Sequence, residues 1–216
     1  MDRPVKRRPY DSTRRRAAAQ RTRRVILDVA ARLFIEHGYV ATTMAAIADA
    51  AGVALDTVYA SVGPKPALFR LLIETAISGT DEPVPALERE EVRVVRAERD
   101  PNRKLELYAG VVRRVQGRLA PLFRVLQAAA ASDPGLRALW TEISERRAGN
   151  MRLLAQELVA IRGLRAEVPV EEAADIIWAT SSAEFYALLV LERGWDPERF
   201  EHWLAATWKR LLLPAT

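Results

Sequence analysis

Apolar residues recur every three to four positions along most of the chain beyond residue 21, and this spacing constrains the fold more than any other feature. The first such stripe consists of Val25, Ile26, Val29, Ala30, Leu33 and Phe34. It places six apolar side chains on one face of a helix. Glycines and Asp-Pro pairs interrupt the pattern at intervals, and both are typical of helix termini. No segment alternates as a strand does, so the sequence predicts an all-α fold.

The apolar stripes and the stop signals between them predict nine helices. They are expected at 22–38, 44–51, 55–60, 66–78, within 86–98, and at 102–131, 134–163, 169–193 and 197–213. Pro121 predicts a kink because proline lacks the N–H that the preceding turn needs. Residues 79–85 contain two prolines and two acids and are predicted to be a linker. The chain is thereby divided into an arm (1–21), a small helical domain (22–78) and a larger one (79–216).

The net charge of +5 is distributed unevenly. Residues 1–24 carry ten basic and two acidic side chains, a net charge of +8, which leaves −3 for the rest of the chain. A concentrated basic arm favours a nucleic-acid partner over an anionic membrane. A solvated, disordered tail is the alternative interpretation of the same residues.

Two short predicted helices lie on either side of Gly52, as in a helix-turn-helix motif. Gly52 permits a tight turn, while Ile47, Ala48 and Val58 can pack the pair against the first helix. The second helix would then be free to enter the major groove of DNA. The corner of a small helical bundle would give a similar pattern.

The run from Arg24 to Ile77 resembles the N-terminal domain of the TetR-type (tetracycline-repressor-like) transcriptional regulators. The residues that carry the likeness are Ile26, Ala30, Ala31, Leu33, Phe34, Gly38, Tyr39, Thr42, Thr43, Ile47, Ala48, Ala51, Gly52, Val53, Thr57, Tyr59, Lys65, Leu68 and Phe69. Residues 193–213, RGWDPERFEHWLAATWKRLLL, look like the dimer-forming end of many members. The chain departs from the family at Ala54, where a serine commonly caps the recognition helix.

The resemblance implies a set of DNA-binding residues: Thr42, Thr43, Leu55, Asp56, Thr57, Tyr59, Ser61 and Lys65. Leu55, Asp56 and Thr57 are expected to face base edges. Thr43, Tyr59 and Lys65 are expected to contact phosphates. A half-buried core position is the alternative for Tyr59. For Asp56 the alternative is an acid that only complements the helix dipole.

The larger domain is expected to bind an effector and to form a homodimer. The large side chains that could line a pocket between its helices are Tyr108, Phe123, Trp140, Met151, Trp178 and Phe185. Few charges lie among them, which favours an apolar effector, although most such residues simply fill helical cores. The apolar residues expected in an intersubunit helical bundle are Ile177, Leu188, Trp203, Leu204, Trp208 and Leu211.

Several functional classes find no support in the sequence. The chain has no cysteine, its two histidines are far apart, and it has neither a phosphate-binding glycine loop nor a catalytic triad pattern. We therefore expect no metal, cofactor or catalytic residue, no membrane partner, and a location in the cytoplasm on the nucleoid. The sequence predicts a homodimeric repressor that a small apolar ligand releases from its operator DNA. The alternatives are a non-specific architectural DNA-binding protein that uses the arm and, least favoured, an all-α enzyme.

Overall fold

The computed structural model describes residues 12–80 and 82–214, and these residues form helices and connecting turns without a strand. The helices are α1 (Ser12–Ala41), α2 (Met44–Ala51), α3 (Leu55–Val62), α4 (Lys65–Ser78), α5 (Glu90–Ala97), α6 (Pro101–Ala130), α7 (Pro134–Ala160), α8 (Val170–Thr180), α9 (Ala183–Tyr186) and α10 (Pro197–Leu212). A 3₁₀ turn, Ala86–Glu88, precedes α5, and a π-helical segment, Ala187–Glu192, continues α9. The predicted all-α fold is confirmed.

The first helix begins ten residues earlier than the sequence predicts. Residues 12–21, assigned to the disordered arm, belong to α1, and residues 1–11 lie outside the described part of the chain. Alanine, arginine and glutamine are strong helix formers, so residues 12–21 favour a helix even though their positive charge is also typical of a solvated arm. Helical geometry is interrupted at Gly38 (φ 79°, ψ 172°), where the sequence predicts the helix to end.

Asp-Pro pairs start two of the long helices, as predicted. The Asp133 carboxylate accepts hydrogen bonds from the backbone N–H groups of Gly135 (2.8 Å) and Leu136 (3.1 Å) at the start of α7. Asp196 caps α10 in the same way, through the N–H of Glu198 at 2.8 Å. The proline that follows each aspartate occupies the first helical position, where no N–H partner is needed.

The helix predicted over 169–193 is two helices. The chain bends by 46° between α8 and the segment Ala183–Glu192, and the bend falls at Ser181 and Ser182. Ser182 accepts a hydrogen bond from the N–H of Phe185 at 3.0 Å and so caps a new helix. Serine side chains compete for backbone groups in this way, and apolar periodicity does not reveal it. By contrast, α6 continues as one helix through Pro121.

Helix α6 lies at the centre of the molecule, packed against α1, α4, α5, α7, α9 and α10. Its inner face is mostly apolar from Leu105 to Leu126, both fully buried, and Gln116 is a buried polar residue between them. The buried residues of the N-terminal helices belong to the same core, and there the rings of Phe34 and Phe69 meet edge to face at 4.9 Å. Within the described residues, no single helix has the length and hydropathy of a membrane span, whereas two bent helix pairs reach that threshold together.

Candidate nucleic-acid interface and internal cavity

Helices α2 and α3 form a helix-turn-helix. Their axes are bent by 104° relative to each other, within the range of about 90–120° that the motif requires. The turn depends on Gly52, whose left-handed backbone (φ 65°, ψ 34°) ends α2. Other residues adopt this conformation only at a cost, so glycine is the suitable residue here. The N-terminus of α2 is capped by Thr43, whose hydroxyl oxygen accepts a hydrogen bond from the N–H of Ala46 at 3.0 Å.

Helix α3 buries one face and exposes the other. Val58 and Val62 are buried against the other N-terminal helices. Leu55 (39% exposed), Asp56 and Tyr59 (46% exposed) lie on the outer face, and Thr57 is half-buried at its edge. The structure therefore places Tyr59 outside the core. No side chain caps α3 at Ala54, as its sequence indicates.

Two neighbouring threonines have different roles. Thr42 is buried, and its hydroxyl donates to the carbonyl oxygens of Gly38 (2.8 Å) and Leu33 (3.1 Å). The side chain of Thr42 thus stabilises the end of α1 and is not available to DNA, contrary to the sequence-based prediction. The reason is its position four residues after the break at Gly38, where its hydroxyl reaches carbonyl groups at the end of the helix. Thr43 is exposed beside it.

Lys65 begins α4 and Ser61 lies in the last turn of α3, and each makes a contact within the protein. The Lys65 ammonium donates to the Val40 carbonyl oxygen at 3.3 Å and lies 4.4 Å from the centre of the Tyr39 ring. Partial burial lowers the pKa of Lys65. The carbonyl oxygen of Ser61 accepts a hydrogen bond from Arg23 of α1. Arg23, which was not among the predicted site residues, therefore joins the basic part of α1 to the end of α3.

A cavity of about 650 Å³ lies in the larger domain, within the size range of small-molecule sites. Of the six residues predicted to line a pocket, Tyr108 and Met151 do so. Their side chains touch, since the Tyr108 hydroxyl donates to the Met151 sulfur at 3.0 Å, and burial raises the pKa of Tyr108 to about 12. The apolar part of the wall includes Ile77, Val84, Leu87, Val92, Val95, Val111, Val112, Val115, Leu119, Ile143, Leu153 and Leu154.

The other four predicted pocket residues lie outside this wall. Phe123 is buried in the core and Trp140 packs against it. The Trp178 indole N–H donates to the Ser144 carbonyl oxygen at 3.3 Å, and Phe185 stacks on Trp203 at 5.7 Å. Sequence periodicity marked all four as inward-facing but could not separate a filled core from a cavity wall.

The cavity also contains charged and polar groups that the prediction of an apolar pocket missed. Arg89 donates to the carbonyl oxygens of Val84 (2.9 Å) and Ile77 (3.0 Å). Arg146 pairs with Glu74 at 2.9 Å, whereas Arg147 bonds to the carbonyl oxygen of Trp178. Burial lowers the pKa of Arg89 and of Arg147. Among the described residues, no group of acidic and histidine side chains could hold a metal ion.

The residues predicted for a subunit interface divide into two groups. Ile177, Leu204 and Trp208 are completely buried within the subunit, so they are not interface residues. They occupy the inward stripe of their helices, which periodicity alone does not distinguish from an intersubunit stripe. Leu188 (53% exposed), Leu211 (44% exposed) and the half-buried Trp203 lie at the surface.

Comparison with known proteins agrees with the geometry of the first domain. Residues 26–72 match the family described as "Bacterial regulatory proteins, tetR family". This match confirms the resemblance that the sequence suggested and covers α2, α3 and most of α4. No curated protein sequence matches the chain significantly.

Solved structures of low sequence identity share the fold of nearly the whole chain. NalD of Pseudomonas aeruginosa, the secondary repressor of the MexAB-OprM multidrug efflux pump, is 23% identical, with a TM-score of 0.70 over 93% of this chain and 100% of its own. A putative regulator of Saccharomonospora viridis in complex with choline is 16% identical, with a TM-score of 0.68 over 90% and 99%. The fatty acid degradation regulator FadR of Bacillus halodurans is 19% identical, with a TM-score of 0.67 over 87% and 94%.

Proposed function

We propose that this chain, a transcriptional regulator with a TetR-family DNA-binding domain, is a homodimeric repressor that a small molecule releases from its operator. In this proposal residues 22–78 bind DNA, together with the helical extension at residues 12–21, and residues 79–216 bind the effector and form the dimer. The observation that carries the proposal is the helix-turn-helix, whose second helix exposes Leu55, Asp56 and Tyr59 on one face. We expect no enzymatic activity.

The exposed face of α3 suits the major groove. Leu55 and Thr57 can contact thymine methyl groups, and Asp56 can accept a hydrogen bond from a cytosine amino group. Tyr59 can donate to a phosphate, as can Thr43 and the remaining N–H bonds of Lys65. These phosphate contacts would position the protein without reading the sequence.

The extension of α1 supplies the positive charge that the rest of the domain lacks. Residues 25–80 contain three basic and five acidic side chains, a net charge of −2. Arg16 and Arg21 are exposed on α1, and Arg23 connects this helix to the end of α3. We propose that the basic part of α1 follows the phosphate backbone beside the recognition helix.

A second subunit would cover the outer face of the segment 183–192 and α10. On α10, Trp203 is half-buried and Leu211 is exposed, whereas Leu204 and Trp208 are buried. Leu188 and Leu191 are exposed on the neighbouring π-helical segment. Exposed apolar residues grouped in this way are typical of a protein interface. Two copies of this pair of segments would form a four-helix intersubunit bundle.

The cavity lies where a bound molecule can affect α4. Glu74 and Ile77 of α4 line the cavity, and α4 directly follows α3 in the chain. An effector that binds better to the conformation that cannot dock on DNA would release the operator. NalD, a repressor, and the choline complex of the Saccharomonospora viridis regulator have similar folds and support this proposal.

The test is selection of bound duplexes from a randomised DNA library by the purified full-length protein. A dimer should enrich a near-palindrome whose half-sites lie about one helical turn apart, or somewhat more. Affinity for the enriched site should exceed that for random duplex by about 10³ or more at the same salt concentration. Binding without enrichment of any sequence would contradict the proposal and favour an architectural protein.

A further inference from the structure

Four polar side chains and Met151 meet at one part of the cavity wall. Ser181 and Met151 are at the centre of this group, which we call the polar cluster: Tyr108, Gln116, Arg147, Met151 and Ser181. Gln116 donates from Nε2 to the Ser181 carbonyl oxygen at 2.7 Å, and Arg147 donates from Nη1 to the Ser181 hydroxyl at 3.4 Å. The Ser181 hydroxyl and the Tyr108 hydroxyl both contact the Met151 sulfur. The rest of the cavity is mainly aliphatic.

In the described part of the chain no carboxylate forms an ion pair with Arg147, although the charge of Glu184 acts to raise its pKa. Of the other three arginines that line the cavity, Arg146 pairs with Glu74 at 2.9 Å and Arg96 pairs with Glu157 at 2.6 Å. Arg89 donates from Nε and Nη1 to two backbone carbonyl oxygens. The guanidinium of Arg147 lies 4.6 Å from the Trp178 ring, and only its Nη1 donates to described protein groups. An arginine stays charged in proteins, and a buried charge without a partner is costly.

The unused edge of Arg147 has the geometry of a carboxylate site. Nε–H and Nη2–H point in the same direction in a guanidinium and can bind the two oxygens of one carboxylate. In Arg147 these two nitrogens are the ones without a bond to the protein. The structure thus leaves a two-donor edge on a residue of the cavity wall.

Gln116 provides a second unfilled site in the same cluster. Its side chain is 4% exposed, and its Oε1 atom is a buried acceptor without a hydrogen-bond partner. Leaving such an atom unpaired lowers stability. Its Nε2 is bonded to Ser181, which orients the amide. Because Oε1 is itself enclosed, a bound donor reaches it only if the side chain shifts toward the cavity that Gln116 lines.

We infer that the cavity binds an apolar molecule with one carboxylate, held by Arg147, and with a nearby hydroxyl or N–H group that donates to Gln116. This inference rests on the proposed function, because it identifies the chemistry of the effector in the same cavity. The aliphatic wall would bury the apolar body of the molecule. The predicted effector class is therefore an amphipathic monoanion, whereas the sequence suggested only an apolar compound.

Calorimetric titration of the full-length protein with four ten-carbon probes tests the inference: decanoate, 3-hydroxydecanoate, decanamide and decyltrimethylammonium. Decanoate should bind more tightly than the neutral and cationic probes. The Arg147→Gln variant should lose about tenfold or more of the decanoate affinity and keep its affinity for decanamide, since a hydrogen bond to a charged group contributes about 1.5–3 kcal/mol. Arg146→Gln is the matched control, because Arg146 already pairs with Glu74.

The contact to Gln116 is tested separately, by comparing the affinities of 3-hydroxydecanoate and decanoate. 3-Hydroxydecanoate should bind more tightly than decanoate, and Gln116→Leu should remove the difference while decanoate binding remains. Circular dichroism and thermal unfolding of each variant verify that it is folded.

The outcomes separate this inference from the proposed function. Equal or tighter binding of decanamide or decyltrimethylammonium, no binding of any probe, or the same loss of decanoate affinity in Arg146→Gln would overturn the inference. If decanoate binds through Arg147 but does not release operator DNA, the effector chemistry is supported and the repressor mechanism fails. If a neutral probe alone releases the operator, the mechanism is supported and the inference fails.

Discussion

Arg89 donates a hydrogen bond from Nη1 to the carbonyl oxygen of Ile77 at 3.0 Å, and both residues line the cavity. Ile77 belongs to the last turn of α4. The preceding residue, Ala76, accepts a hydrogen bond from Arg118 of α6 at 2.9 Å. Cations stabilise the C-terminal end of a helix because they complement its dipole. The end of α4 is thus held by two arginines of the larger domain, one of which borders the cavity.

This contact predicts the effect of removing the Arg89 guanidinium. In an Arg89→Met variant, the amides of the last turn of α4 should exchange hydrogen about tenfold faster, because the Ile77 carbonyl at the end of α4 and the Val84 carbonyl in the following segment lose their donor. Arg93→Met is the control, since Arg93 is exposed and its nearest carboxylate, in Glu90, is 4.0 Å away. Amide hydrogen exchange of both variants and of the wild type is measured by mass spectrometry. Equal exchange in Arg89→Met and the wild type would show that Arg89 does not hold α4.

Substitutions on α3, the recognition helix, should distinguish residues that contact bases from residues that contact phosphates. Asp56→Ala should alter the preference at one or two base pairs of each half-site, since Asp56 is exposed near the start of α3. Tyr59→Phe should weaken binding to all operator variants equally, because a phosphate contact carries no sequence information. Binding to a randomised half-site library measures both effects. An unchanged profile for Asp56→Ala would place Asp56 outside the groove.

The fold was predictable from the sequence because its signals are local. Thr43, Gly52 and the Asp-Pro pairs act on the nearest turn of backbone, and the structure has helix termini at these positions. The break at Ser181 was missed because serine caps are weak signals inside an apolar stripe. The start of α1 is not evident from charge, because a run of arginines is typical both of a solvated arm and of a helix.

The cavity residues could have been found from the same stripes. Gln116 lies four residues after Val112, and Arg147 lies midway between Ile143 and Met151, so both polar side chains interrupt inward-facing stripes. A polar residue at such a position indicates either a satisfied core group or a ligand site. Which aromatic residues line an open space could not be predicted, because that depends on how the helices are spaced in three dimensions.

The exposed arginines of α1 should determine the salt dependence of DNA binding. Replacing Arg16 and Arg21 with glutamine keeps the helix propensity and removes up to four phosphate contacts per dimer. The slope of log K against log salt should become shallower by up to about 4, at about 0.9 for each contact. Arg103→Gln with Arg124→Gln, on α6, is the control. An unchanged slope in the α1 variant would exclude this helix from the interface.

The exposed apolar residues of α10 and of the π-helical segment before it should be needed for dimer assembly. Leu188→Glu together with Leu211→Glu should give folded monomers, because both leucines are exposed in the subunit. Val94→Glu with Val159→Glu is the matched control, since these valines are equally exposed on α5 and α7. Light scattering at micromolar concentration measures the mass. A wild-type monomer that binds a single half-site tightly would contradict the dimer.

The most direct test of the account is to fill the cavity without a ligand. In a Val115→Trp variant, the indole should occupy the cavity from α6 and act as a permanent effector, lowering operator affinity about tenfold or more while non-specific binding is unchanged. Val159→Trp places the same side chain on the exposed surface of α7 and should bind the operator like the wild type. Operator affinity is measured by fluorescence anisotropy on variants whose helicity matches the wild type. Wild-type affinity in Val115→Trp would show that the cavity is not coupled to the DNA-binding helices.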